Sequence, residues 1–173
     1  MTMSKPILLI SIGFLICLVR AWGQKGPLAP AGRILKKRQT NENQEFLNAH
    51  NERRRNVNPS ASNMKEMIWS DELYTIARNY AQQCSFSHNS QRSSQSQTFS
   101  YVGENIYMGT FGTATDAVRS WDEEKSYYDL SSNTCTRTCG HYTQVVWTDS
   151  EYLGCARQQC GNSYLIVCNY GPG

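Results

Sequence analysis

Leu153-Gly154-Cys155-Ala156-Arg157, then Cys160-Gly161-Asn162-Ser163, then Tyr164-Leu165-Ile166-Val167-Cys168-Asn169-Tyr170 read as two strands closed by a turn, and this stretch decides the fold. A Gly-Asn pair between two apolar runs is a hairpin signal. With Gly161 and Asn162 as the turn, Cys160 pairs with Ser163, and counting outward sets Cys155 opposite Cys168. That position is a non-hydrogen-bonded pair, where Cα atoms approach to ~4.5 Å, within disulfide range. The register therefore predicts a Cys155–Cys168 bridge.

Just upstream, Gly140-His141-Tyr142-Thr143-Gln144-Val145-Val146-Trp147 reads as an alternating strand with a histidine at its head. Thr143, Val145 and Trp147 share the histidine's face. A third helix is expected from about Thr113 through Tyr128, its apolar stripe formed by Ala114, Ala117, Val118, Trp121 and Tyr128. Glu124 falls three residues after Trp121 and four before Tyr128, so it faces inward and needs a partner there.

Tyr101-Val102-Gly103-Glu104-Asn105-Ile106-Tyr107 is a short apolar segment interrupted by Gly-Glu-Asn, which suggests a positive φ at Gly103 with Glu104 and Asn105 turned toward something specific. A simple turn explains it equally well. Ser85 to Ser100 is too polar to bury and too long for a tight turn, so it reads as a surface loop. His88, inside it, reads as exposed or locally hydrogen-bonded.

Ser70 is an N-cap candidate, followed by Asp71 and Glu72 in a first turn and by Leu73, Ile76, Ala77, Tyr80 and Cys84 at helical spacing. An earlier helix covers the residues from Asn43 to Arg54, where Phe46 and Leu47 share a face with His50 and so turn His50 inward. Arg53-Arg54-Arg55 reads as a helix end favourable to the macrodipole.

At the N-terminus, Lys5, an apolar run from Pro6 to Val19, and Ala21-Trp22-Gly23 form a secretory signal peptide over 1–23. The run is shorter than the roughly 17–25 residues that span a bilayer. Residues 24–38, rich in Gly, Pro and basic residues, read as a propeptide or linker ending in the convertase-like Lys36-Lys37-Arg38. Residues 39–173 then form a single domain with ten basic and fourteen acidic side chains, a formal charge of −4 that removes any nucleic-acid reading of the overall +3. No transmembrane segment is expected in the mature chain. Six cysteines remain after the signal peptide, an even number that implies three disulfides in an exported domain.

Four elements resemble the superfamily of cysteine-rich secretory proteins, antigen 5 and pathogenesis-related class 1 proteins: Gly140 to Trp147, Ile166-Val167-Cys168-Asn169-Tyr170, His50-Asn51-Glu52-Arg53-Arg54, and Gly103-Glu104-Asn105-Ile106. Cys135-Thr136-Arg137-Thr138-Cys139 running into Gly140-His141 is most similar to the glioma pathogenesis-related group. The resemblance implies an α+β fold, a three-layer α-β-α sandwich around a mainly antiparallel sheet. It also implies the bridges Cys84–Cys160 and Cys135–Cys139, and a cleft lined by His50, Glu104, Glu124 and His141. Family members usually continue beyond the position of Gly173, so the C-terminus reads as truncated.

From these residues the expected function is a secreted binding domain that engages a lipid, a sterol or an extracellular protein. The alternative is a metal-dependent hydrolase, with His50 and His141 holding Zn²⁺ weakly because a third strong ligand is missing.

Overall fold

In the structure, a computed structural model, residues 31–173 are described, with side chains from residue 39. The expected signal peptide and the first part of the expected linker, 24–30, lie outside the described residues. The hairpin is strand β5, Tyr152–Cys160, against β6, Ser163–Gly171. Gly161 takes φ +63°, a conformation that favours glycine, and so turns the chain. Cys160 pairs with Ser163 and Cys155 with Cys168, whose Cα atoms lie 4.0 Å apart under a disulfide. In the chain-entropy description this bridge contributes about 3 kcal/mol.

Strand β2, Gly103–Gly109, pairs antiparallel with the outer edge of β6, and the short β1, Ile68–Trp69, pairs parallel with β5. The result is a four-stranded mixed sheet, β1-β5-β6-β2. Successive residues of β6 serve different cores, as a strand's period of two requires. Leu165 and Val167 join Ala77 and Ala81 of helix α2, Asp71–Ala81. Ile166, Cys168 and Tyr170 join Phe46 and Ala49 of α1, Ala31–Arg55, with Ala117, Val118 and Trp121 of α3, Ala114–Glu123. The fold is α+β, and Cys84–Cys160 ties the end of α2 to the end of β5.

Ser70 caps α2, its hydroxyl accepting from the Leu73 N–H at 3.3 Å. The Ser-rich loop beyond α2 is pinned back to the same helix by Glu72. That carboxylate accepts from the Ser96 hydroxyl at 2.7 Å, the Gln97 N–H at 2.5 Å and the Thr98 hydroxyl at 2.5 Å. The Thr98 hydrogen bond, with those of Ser96 and the loop amides, holds Glu72 down at a pKa of about 2.

Several elements differ from the sequence expectations. Gly140–Val145 is a short helix, α4, which buries Tyr142 and Val145 at a spacing of three. Its amides are met by a side chain from elsewhere: Glu124 Oε2 accepts from the N–H groups of His141 at 3.0 Å and Tyr142 at 3.3 Å. That tertiary partner overrides the β-leaning composition of Tyr-Thr-Gln-Val-Val-Trp. The expected third helix ends early, tightening at Glu124–Tyr127 into a 3-10 turn before β3, Tyr128–Asp129, pairs with β4, Thr134–Cys135. Helix α1 begins at Ala31, inside the segment expected to be irregular. Gly103 lies in extended β2 and does not need a positive φ. A Cβ there would meet the end of the Gln144 side chain at 2.1 Å and the Gly173 Cα at 3.1 Å, so close packing beside β2 favours the glycine.

Candidate functional site: two carboxylate-histidine pairs

Glu104 on β2 and His88 in the loop after α2 meet with Nδ1 to Oε1 at 2.9 Å. Glu124, at the turn ending α3, meets His141 at the start of α4 with Nδ1 to Oε1 at 2.7 Å. A carboxylate offers no proton, so in each pair Nδ1–H donates and Nε2 is left with a free lone pair. The rings of His88 and His141 lie 6.4 Å apart at 34°. They line one cleft of about 340 Å³ together with Glu104, Gly140 and Gln144.

Each carboxylate is fully engaged. Glu104, its side chain 0% exposed, also accepts from the Asn89 N–H at 2.9 Å. Asn169, in the amide orientation its neighbours require, donates to the other Glu104 oxygen at 3.2 Å. Burial raises the Glu104 carboxyl above the usual range, and the Asn89 N–H and His88 oppose that rise. Glu124 spends one oxygen on the imidazole and the other on two amides of α4. The His141 carbonyl is held in turn by Asn105 Nδ2 at 3.0 Å, and the ring stacks on Trp121 at 6.2 Å.

Glu104 and His141 thus line one cleft, with Glu124 reaching it only through His141, and His50 does not line it. His50 is completely buried in the core. Its Nδ1 faces the Phe46 carbonyl at 2.8 Å, which fixes the proton there, so Nε2 accepts from the Tyr170 hydroxyl at 2.9 Å. Both nitrogens are spent. Burial lowers its pKa to about 4, and Arg54 pushes the same way. Trp121 contacts both His50, at 6.0 Å, and His141, so the indole stands where the expected metal pair would have met. The nitrogen of His50 also gathers with the sulfurs of Cys155 and Cys168 within 4.8 Å, but those sulfurs are bonded to each other and are not thiolates.

The rest of the His50-Asn51-x-x-Arg54 element is structural too. Asn51 bonds the backbone of Met67 twice, at 2.7 and 3.0 Å. Arg54 donates to the carbonyls of Lys65, Val145, Trp147 and Ser150 at 2.7 to 3.1 Å. The expected macrodipole role therefore does not describe Arg54, which is buried and clamps together the segments that lead into the paired strands β1 and β5.

His88, which the sequence placed in a polar surface loop, is the histidine that shares the small cleft with His141. Its signal was indirect: Cys84 is four residues away, and a buried Glu104 demands a partner. The structure also holds a second, larger cleft of about 890 Å³ that sequence periodicity did not reveal. It runs between the end of α1 and α4, with Val57, Met64, Tyr128, Leu130, Val146 and Trp147 among its lining residues. Leu130 and Trp147 are half exposed there.

The small cleft offers two imidazole nitrogens to a divalent cation, each imidazole oriented by a carboxylate through its other nitrogen. This donor set fits a weakly held ion rather than a closed four-ligand structural site. All six cysteines of the described residues are in disulfides, so no thiol nucleophile is present among them. Neither imidazole has a serine or threonine hydroxyl among its described hydrogen-bond partners. No helix of the described residues is long and apolar enough to cross a membrane.

The model of the cysteine-rich secretory protein family, CAP, matches residues 47–170. GLIPR1-like protein 1 of Homo sapiens is 44% identical over 136 residues, covering 73% of this chain and 56% of that protein. Pathogenesis-related protein 1A of Nicotiana tabacum is 42% identical over 140 residues, covering 78% and 77%. The crystal structure of NaASP2 with Zn²⁺ is similar at a TM-score of 0.62 and 30% identity, covering 76% of this chain and 79% of that one. The chain spans little more than half the length of the GLIPR1-like and glioma pathogenesis-related proteins it matches, 54 to 58%. With the matched model covering most of the chain and the paired cysteines of the fold in place, this protein belongs to the cysteine-rich secretory protein, or CAP, family.

Proposed function

We propose that this is a secreted, disulfide-stabilised binding domain in which two clefts divide the work. The large cleft takes a lipid or sterol, and the small one takes a divalent cation such as Zn²⁺, held weakly by His88 and His141. The observation that carries the lipid reading is the 890 Å³ cleft of ligand size, where half-exposed Leu130 and Trp147 form an apolar wall among polar neighbours such as Arg53 and Lys125. Three disulfides support an oxidising, extracellular setting. Apolar clusters on alternating residues of β6 support a three-layer α-β-α reading of the fold. The zinc-containing NaASP2 structure supports the choice of ion.

The alternative, a metal-dependent hydrolase, is disfavoured by the carboxylates. A bound water needs a nearby base, and both Glu104 and Glu124 are committed to N–H donors. Filter binding of radiolabelled cholesterol and palmitate to the secreted protein tests the lipid reading. Saturable binding of either, lost in Leu130→Asp and kept in His88→Ala, is the expected result. Absence of binding, or equal loss in both variants, would overturn it.

A further inference from the structure

Arg92 occupies the wall of the small cleft beside His88. Its Nε–H donates to the Val102 carbonyl at 2.7 Å and Nη1 to the Asn89 carbonyl at 3.0 Å. The guanidinium also lies 5.8 Å from the Tyr101 ring centroid, with Nη2 3.5 Å from the Tyr101 hydroxyl. Among the described residues these partners are neutral, and Arg92 forms no ion pair. They use three of its five N–H groups, leaving one on each terminal nitrogen. Backbone carbonyls thus fix the fork in place, and its charge is felt by the buried Glu104 carboxylate.

The cation side of the cleft is incomplete in a complementary way. Each carboxylate is held by N–H donors, so an ion on His88 and His141 keeps open positions and most of its charge. The two unspent N–H groups of Arg92, beside a dication that would keep open positions on His88 and His141, favour a shared anionic ligand over the single buried Glu104 carboxylate that now feels the Arg92 charge.

We infer that Arg92 and a cation on His88 and His141 jointly bind an oxyanion, a carboxylate or phosphate, so that the small cleft is a composite cation and anion site. This rests on the cation reading above. The oxyanion is either a free small ion or the headgroup of a lipid. Arg92 confers the selectivity, because its planar fork matches two oxygens where a lysine offers a point charge.

The test uses Co²⁺ as a visible probe on the secreted protein. Acetate or inorganic phosphate should change the Co²⁺ absorption band, and neutral acetamide should not. Half-saturation by the anion should weaken about ten-fold in Arg92→Gln, with Co²⁺ affinity and Tm close to wild type, and Arg92→Lys should recover part of the loss. Co-sedimentation with phosphatidic-acid vesicles in the presence of Co²⁺, against a phosphatidylcholine control, separates a headgroup from a free ion. A Co²⁺ band equally responsive to acetate and acetamide would overturn the inference without any variant, as would an anion response unchanged in Arg92→Gln. No Co²⁺ band at all would overturn the cation reading and this inference together.

Discussion

His50 and His88 are the same residue type, yet one is a core group and the other lines a cleft. His50 is buried, and both of its nitrogens are satisfied by Phe46 and Tyr170. His88 is 55% exposed and spends only Nδ1, on a buried carboxylate. What separates them is an unspent nitrogen with access to solvent. An inward-facing position in a helix predicts burial; function needs burial on one side of the ring and an opening on the other.

The largest effect expected from this contrast falls on stability. His50→Ala leaves the Phe46 carbonyl and the Tyr170 hydroxyl without a partner and opens a void beside Trp121, a loss of about 3 to 4 kcal/mol in urea titrations. Cation affinity in the remaining folded protein should be unchanged. A loss below about 1 kcal/mol would break the contrast from the His50 side.

His50 also sets a pH dependence. Its folded pKa, about 4, lies below the ordinary 6.5, so the unfolded chain binds the extra proton between those values. The stabilisation is full above pH 6.5 and is lost as pH falls toward 4, to the extent of about 3 kcal/mol. Urea midpoints across that range should drop in the wild type, and the His50→Gln variant should flatten the part of the slope between pH 6.5 and 4.

Glu124 acts on both sides of the comparison. Glu124→Gln loses the oriented imidazole and weakens the cap of α4, so zinc affinity should fall about 10-fold and stability by about 1 kcal/mol. Calorimetric titration with a parallel melt separates the two. Unchanged zinc affinity would mean that Glu124 serves only the helix.

The smallest effect comes from the loop. Glu72→Gln weakens the hold on Ser96 and Thr98 at a largely exposed site, so stability should fall by about 1 kcal/mol or less. Zinc affinity should slip only a few-fold, because the Cys84–Cys160 bridge and Glu104 still anchor His88.

The hairpin was legible because its information is local: period two, a Gly-Asn turn, and two cysteines that count to the same rung. The cap and the apolar stripe of α2 were legible for the same reason. Helix α4 was not, since its six residues have β-leaning side chains and the carboxylate that satisfies its amides lies 17 positions before His141. His88 was hidden by its neighbours, a run of Ser, Gln and Asn whose path is set by Glu72 and a disulfide rather than by periodicity. The large cleft joins residues from Arg53 to Thr148, a proximity that only packing creates.

The proposed cation site is His88 with His141, and His50 has no part in it. Calorimetric zinc titration of the secreted protein at pH 7.5 and of His88→Ala, His141→Ala and His50→Gln tests it most directly. One weak site is expected in the wild type and in His50→Gln, with binding abolished in each of the other two. Zinc binding that survives His88→Ala but disappears in His50→Gln would contradict it.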